Sequence, residues 1–337
     1  MNIKAIVLAA LAVTSTVLTI YMTQDNGTKS PLQSESMRAF MSYNSRFGKE
    51  HSSKEEHSYR FKVYLSNLKF VQEHQKKNLS YEVGENEFFD LTFEEFSQKY
   101  LSQQVRRNFV FSHNSPKLIT GDKKKDWRDD NIVTEVKNQL RCGSCWAFSA
   151  IGSLESAYAL ANKSLVEFSE KELVDCSSSY GNNGCHGGIM ALGLDYIKDH
   201  GVGLESDYPY QPSQDKCTAD KSKARVTIKS HKGINPVDVY GLLNSIDVTP
   251  VSVGIEVQQS FQLYTSGIYV SDDRSCGEHL NHGVLAVGYK VSDSENYFIV
   301  KNSWGPAWGE SGYIRMAIGT GSGTCGIANR DAVYPIL

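Results

Sequence analysis

The chain has 337 residues, 40% hydrophobic and 22% charged, which allows one large or two modest domains and excludes wholesale disorder or a fibrous repeat. The formal charge of −3 lacks the basic footprint of a nucleic-acid binder. It is unevenly divided, with 15 basic against 12 acidic residues over 1–120 and 20 against 26 over 121–337, so the two parts can attract each other.

Lys4 precedes an apolar stretch over 5–20 that ends in the polar run 23–26. That length suits a secretory leader better than a bilayer span, and a leader is expected over 1–22. Export would make Asn26, Asn78 and Asn162 possible glycan acceptors, each being followed by the required Ser or Thr. Residues 35–77 read as helical, with Glu56, Arg60, Tyr64, Asn67 and Val71 at helical spacing and Phe61, Leu65 and Leu68 beside them. A strand or turn is expected over 84–90. Residues 102–125 lack periodicity and end in three lysines, the pattern of an exposed linker.

A helix is expected near Ser144, with Phe148, Ile151, Leu154 and Tyr158 on one apolar face and Glu155 off it. Further helices are expected from Ser169 and over 190–197. Beyond 225 the texture changes to strands. Val251, Val253, Ile255 and Val257 alternate with small or polar residues, and strand-like runs cover 283–291, 296–301 and 312–317. A helical half followed by a sheet half predicts an α+β fold of two lobes with a cleft between them.

All seven cysteines fall between Cys142 and Cys325. In an oxidising compartment an odd count leaves one thiol free, and six cysteines alone allow fifteen pairings. The run Gln139-Leu140-Arg141-Cys142-Gly143-Ser144-Cys145-Trp146-Ala147-Phe148 places a cysteine at a helix start, where the dipole and a nearby imidazolium favour the thiolate. Amide hydrolysis needs such a nucleophile, a proton shuttle and donors for the developing oxyanion. His282 lies in Asn281-His282-Gly283 before a strand-like run, with His279 close by as a second candidate.

With Gly-Cys-His-Gly-Gly at 184–188, Lys-Asn-Ser-Trp-Gly at 301–305 and Trp-Gly-Glu-Ser-Gly-Tyr at 308–313, the chain resembles the papain-like cysteine proteases, closest to the cathepsin L-like branch. The front segment is similar to that family's inhibitory propeptide. The resemblance implies a two-lobed fold and the boundaries 1–22 leader, 23–120 inhibitory propeptide and 121–337 peptidase, the last split at 230/231 into a mainly helical and a mainly β lobe. It implies Cys145 as nucleophile, His282 as base and later acid, Asn302 as the residue orienting His282, and Gln139 as oxyanion donor. Trp304 would shield the His282–Asn302 hydrogen bond. Gly187 and Gly188 would pair with an extended substrate. Ile189, Met190, Gly254, Leu280, Asn281, Gly283 and Arg330 would line the substrate cleft, with a mainly apolar pocket two residues before the scissile bond.

The implied disulfides are Cys142–Cys185, Cys176–Cys217 and Cys276–Cys325, leaving Cys145 free. The implied partners are protein and peptide substrates, the chain's own propeptide and cystatin-like inhibitors. The implied protein is a monomer without metal or cofactor, destined for a lysosome or vacuole or for secretion. An acid-sensitive latch is expected over 84–90, with Asp90 or Glu56 held by basic partners. Departures from the family pattern are Tyr64, Gln75, Asp122, Leu140 and one extra residue after Cys325.

Two other classes compete. A thiol–disulfide oxidoreductase would use Cys142 and Cys145 as a redox pair but leaves Gln139, His282 and Asn302 idle. An inactive binding protein on the same fold should have lost a reacting group. A zinc site from Cys142, Cys145, Cys176 and Cys185 is disfavoured where disulfides form.

Overall fold

The computed structural model describes residues 31–102, 122–271, 276–329 and 331–337. The expected leader, Asn26, Arg330 and most of the stretch 102–125 lie outside these.

The front segment opens with α1 (Pro31–Arg46) and α2 (Lys54–Gln75), separated at Gly48, whose φ of +59° suits glycine. The single helix expected over 35–77 is therefore two. Ser53 restarts the chain as N-cap, its hydroxyl accepting the Glu56 N–H at 3.1 Å. Helix α2 buries Phe61, Tyr64, Asn67 and Val71. Strand β1 (Tyr81–Val83) precedes the turns over 84–91, and α3 (Phe93–Tyr100) begins with a reciprocal Thr92–Glu95 capping box.

The remaining elements are β2 (Lys123–Asp126), α4 (Cys145–Asn162), α5 (Glu170–Cys176), α6 (Met190–His200), β3 (Ser230–Gly233), α7 (Val239–Ile246), β4 (Val251–Ile255), α8 (Gln259–Gln262), β5 (Tyr264–Tyr269), β6 (His282–Val291), β7 (Asn296–Lys301), β8 (Tyr313–Ala317) and β9 (Val333–Ile336). The sheet runs β1-β5-β8-β7-β6-β4-β9-β3, with β2 also on β6. Only β5–β8 is parallel among these pairs.

Two main cores form. Trp146, Ile151, Leu154, Leu173 and Leu194 pack the helical lobe. Val253, Tyr264, Trp304 and Trp308 belong to the β-lobe core, which is continuous with Phe40, Tyr64, Phe88 and Phe96 of the front segment. Helix α4 lies between the lobes, where Ser149 donates to the Val284 carbonyl of β6 at 2.7 Å and its own carbonyl accepts the Ser252 hydroxyl of β4 at 2.7 Å.

That central place overturns two local expectations. Glu155 is buried, taking Thr134 Oγ1 at 2.6 Å, Lys137 Nζ at 2.7 Å and the Phe168 N–H at 3.1 Å. The alternating strand β4 is buried along its whole length, because α4 covers its polar face. The lysines at 123–125 are likewise strand and not linker, pairing antiparallel with β6. Lys125 lies 3.4 Å from the Trp127 ring centroid and 2.7 Å from Asp130, satisfying its charge at the sheet edge.

Candidate active site

Cys145 is the first residue of α4 and is fully buried. It is the free cysteine among the described residues, and Cys142–Cys185, Cys176–Cys217 and Cys276–Cys325 are joined. With Cys142 bonded to Cys185, Cys142 and Cys145 do not form a redox pair. Opposite the helix start, β6 begins at His282. The Gly283 N–H points at Cys145 Sγ at 3.3 Å. A Cβ on Gly283 would lie 3.1 Å from Trp146 Cα and 3.3 Å from the Cys145 carbonyl, so this approach of strand to helix needs glycine.

His282 Nε2 bonds Asn302 Oδ1 at 2.8 Å, which makes Nε2 the protonated nitrogen. Its buried Nδ1 has no partner among the described residues. Asn302 Oδ1 also accepts the Ser303 N–H at 2.8 Å. The Trp304 ring stacks on the imidazole at 4.6 Å and is wholly buried. Burial pushes His282 down to about 4, against the Asn302 hydrogen bond. Burial also pushes the Cys145 thiol up, against the Gly283 N–H and the Ser102 hydroxyl. Thiol and imidazole are both neutral in this state at pH 7.

The Gln139 side chain is fixed at both ends. Oε1 accepts the Ser303 hydroxyl at 2.7 Å, and Nε2 donates to the Cys142 carbonyl at 2.7 Å and the Tyr100 carbonyl at 2.8 Å. One N–H therefore serves the loop and the other serves the front segment. That segment crosses the nucleophile. The Ser102 hydroxyl is 3.0 Å from Cys145 Sγ and 3.3 Å from the Gly143 carbonyl, and its N–H donates to the Asn281 carbonyl at 2.9 Å.

Gly254 and Gly283 face each other across β4 and β6, giving a lane without side chains beside Cys145. Met190 Sδ lies 3.2 Å from where a Cβ on Gly283 would be, and Leu280 Cδ1 3.2 Å from the equivalent point on Gly254. Asp331 Oδ2 reaches within 3.3 Å of that second point. Ile189 is buried at the start of α6, its N–H on Asn182 Oδ1 at 2.8 Å. Gly187 has a φ of +120°, and a Cβ on Gly188 would meet the Trp146 ring at 2.6 Å, so packing alone requires this glycine. His279 is exposed, its N–H on Glu256.

The latch differs from expectation in part. Asp90 accepts from Tyr43 at 2.9 Å and pairs with Lys49 at 3.2 Å. Glu56 has no basic hydrogen-bond partner among the described residues but takes the Ser52 N–H and hydroxyl at 2.9 and 2.5 Å, while Arg60 turns to Glu95 at 2.8 Å. Sequence reasoning missed Ser102, Ser303, Tyr210 and Asp331. Each acts through contacts with residues remote in the chain, and of the four only Ser303 lies in a local pattern, the run at 301–305.

A model of the "Papain family cysteine protease" domain matches residues 122–336, and one of the "Cathepsin propeptide inhibitor domain" matches residues 40–96. A probable cysteine protease of Arabidopsis thaliana is 42% identical over 285 residues, 82% of this chain, and the chain spans 60% of that relative's length. A cathepsin L-like proteinase of Fasciola hepatica is 39% identical over 84% of this chain and 88% of its own. Digestive procathepsin L 3 of Tenebrio molitor larval midgut superposes with a TM-score of 0.78 at 36% identity, covering 90% of this chain and 99% of that one. The chain belongs to the papain family of cysteine proteases and carries a cathepsin propeptide inhibitor domain ahead of its protease domain.

Proposed function

We propose that this chain is the zymogen of an endopeptidase in which Cys145 attacks the scissile carbonyl. His282 Nδ1 takes the thiol proton and later gives it to the leaving amine. Asn302 holds the imidazole through Nε2, and the Gln139 N–H now on Tyr100 stabilises the oxyanion of the tetrahedral intermediate. The observation that carries this reading is the path of residues 100–102, a peptide already lying across the nucleophile. A substrate would offer Gln139 a carbonyl and Asn281 an amide from the same residue. Here the amide comes from Ser102, two residues after the Tyr100 carbonyl. The segment thus runs with the opposite polarity. Residues 100–102 occupy the cleft as interior positions of the chain, so the cleft suits an internal peptide bond.

The boundaries 23–120 and 121–337 fit a cut that leaves β2 on β6. Three disulfides favour an oxidising compartment, so the route is secretory, ending in a lysosome or vacuole or outside the cell. The mature enzyme is a monomer open to cystatin-like inhibitors. Met190 and Leu280 favour an apolar side chain two residues before the scissile bond, and the Asp331 carboxylate adds tolerance for a basic one. Acid-treated protein labelled with an irreversible thiol-directed peptide inhibitor should carry the label on Cys145. Label on another residue, or none, would sink the assignment.

A further inference from the structure

The loop from Gln139 to Ser144 joins the proposed oxyanion donor to the start of the nucleophile helix. It contains Leu140 at a φ of +53°, a left-handed conformation unfavourable to a branched side chain. Leu140 is 46% exposed, so packing of its side chain does little to hold it there. The Gln139 carbonyl, next to the strained residue, accepts the Tyr210 hydroxyl at 2.7 Å. The same hydroxyl lies 2.7 Å from Ser144 Oγ. A phenol has one hydrogen and a carbonyl only accepts, so the chain runs from the Ser144 hydroxyl to Tyr210 to the Gln139 carbonyl. Ser144 is the N-cap of α4 yet makes no capping bond with its side chain. Its hydroxyl is committed to Tyr210, whose ring packs edge-on against Phe148 at 4.8 Å and whose N–H donates to Glu205 Oε1 at 2.7 Å.

We propose that Tyr210 is a positioning residue for catalysis, its hydroxyl fixing the oxyanion loop against the start of the nucleophile helix. This rests on the reading of Cys145 and Gln139 given above. Burial pushes the phenol above its ordinary value, so it stays a neutral donor throughout the working range of pH. The tether acts on the donor of the tetrahedral intermediate and not on the thiol itself, and that separates it from a general stabilising role.

The test compares mature wild type with Tyr210→Phe. Loss of the two part-buried hydrogen bonds that join Ser144 to the Gln139 carbonyl should lower kcat on the order of tenfold with KM little changed. Affinity for a peptide aldehyde, whose thiohemiacetal bears the same oxyanion, should fall by a similar factor. Capping of Cys145 by methyl methanethiosulfonate forms a mixed disulfide, releases methanesulfinate and needs no oxyanion donor, so its rate should hold within twofold. Unchanged kcat, a loss confined to KM, or an equal loss of capping rate would overturn the proposal. Should Tyr210→Phe fail to mature, Ser144→Ala must show the same pattern at smaller amplitude, and its absence is equally decisive. Failure of the underlying protease reading is distinguishable, because wild type itself would then hydrolyse no peptide.

Discussion

The front segment touches the protease domain in two places of different character. Between Tyr81 and Phe96 it docks on the β lobe. There β1 pairs with β5, Asn86 Nδ2 donates to the Gln262 carbonyl at 2.7 Å, and Gln262 Nε2 donates to the Phe88 carbonyl at 3.1 Å. Phe88 and Phe96 stand edge-on to Trp304 at 5.6 and 5.0 Å inside the shared core. Between Tyr100 and Ser102 it buries Leu101 at the edge of that core and then depends on hydrogen bonds to Gln139, Asn281, Gly143 and Cys145. Buried aromatic area carries far more free energy than a few exchanged hydrogen bonds. Affinity resides in the first contact and blockade in the second.

The largest effect separates chemistry from docking. Cys145→Ala should lower peptidase activity at least a thousandfold, to background, while the melting temperature stays within a few degrees. The variant zymogen should remain full length at pH 4–5, where wild type shortens to roughly residues 121–337. Shortening of both would assign processing to another protease.

Next comes the dock itself. Phe96→Ala removes a fully buried ring from the shared core, a change that costs about 3–5 kcal/mol in cores. Residual activity of the uncleaved zymogen at pH 7 should rise on the order of a hundredfold, with the protease domain intact. A zymogen as silent as wild type would move the affinity to residues 100–102.

Acid acts at the boundary of the two contacts. In the docked state His282 is held at about 4, below its ordinary value of 6.5. If release exposes the imidazole and returns it toward 6.5, the released state takes up, as pH falls toward 4, a proton that the docked state refuses. Docking should therefore weaken by up to about tenfold per pH unit in that window. Glu87 opposes this, since burial raises its carboxyl against the Lys49 charge and so favours docking in acid. Zymogen activation followed from pH 7 to pH 4 in wild type and Glu87→Gln should show a steeper pH dependence in the variant, which docks more tightly at pH 7 and lacks the opposing titration. An activation rate flat across the window would remove His282 from the release step.

Legibility of the molecule in its sequence follows the same divide. Cys145, His282, Asn302 and Gln139 sit in short motifs, and the helix at Cys145 and strand at His282 carry strong local periodicity. Residues set by remote partners were not legible. Glu155 reads as solvent-facing on a helical wheel, yet α4 has a neighbour on each side. Lys123 to Lys125 form a strand because β6 offers an edge far along the chain. Ser102 lies in a stretch without pattern and gains meaning once α3 delivers it to the cleft.

Ser102→Ala gives the smallest expected effect and the finest test of the comparison. Its hydroxyl makes the one side-chain contact from the described front segment to Cys145 Sγ, at 3.0 Å, while its N–H holds Asn281 through the backbone and survives the substitution. A neutral hydrogen bond contributes about 1 kcal/mol net, so removing it should raise the rate of Cys145 alkylation in the intact zymogen about fivefold at pH 7. The melting temperature should not change, because the dock over Tyr81 to Phe96 is untouched. Alkylation a hundredfold faster, matching Phe96→Ala, would mean that the hydroxyl anchors the segment and that affinity and blockade reside in one contact. An unchanged rate would mean that the backbone bonds of residues 100–102 shield the thiol without it.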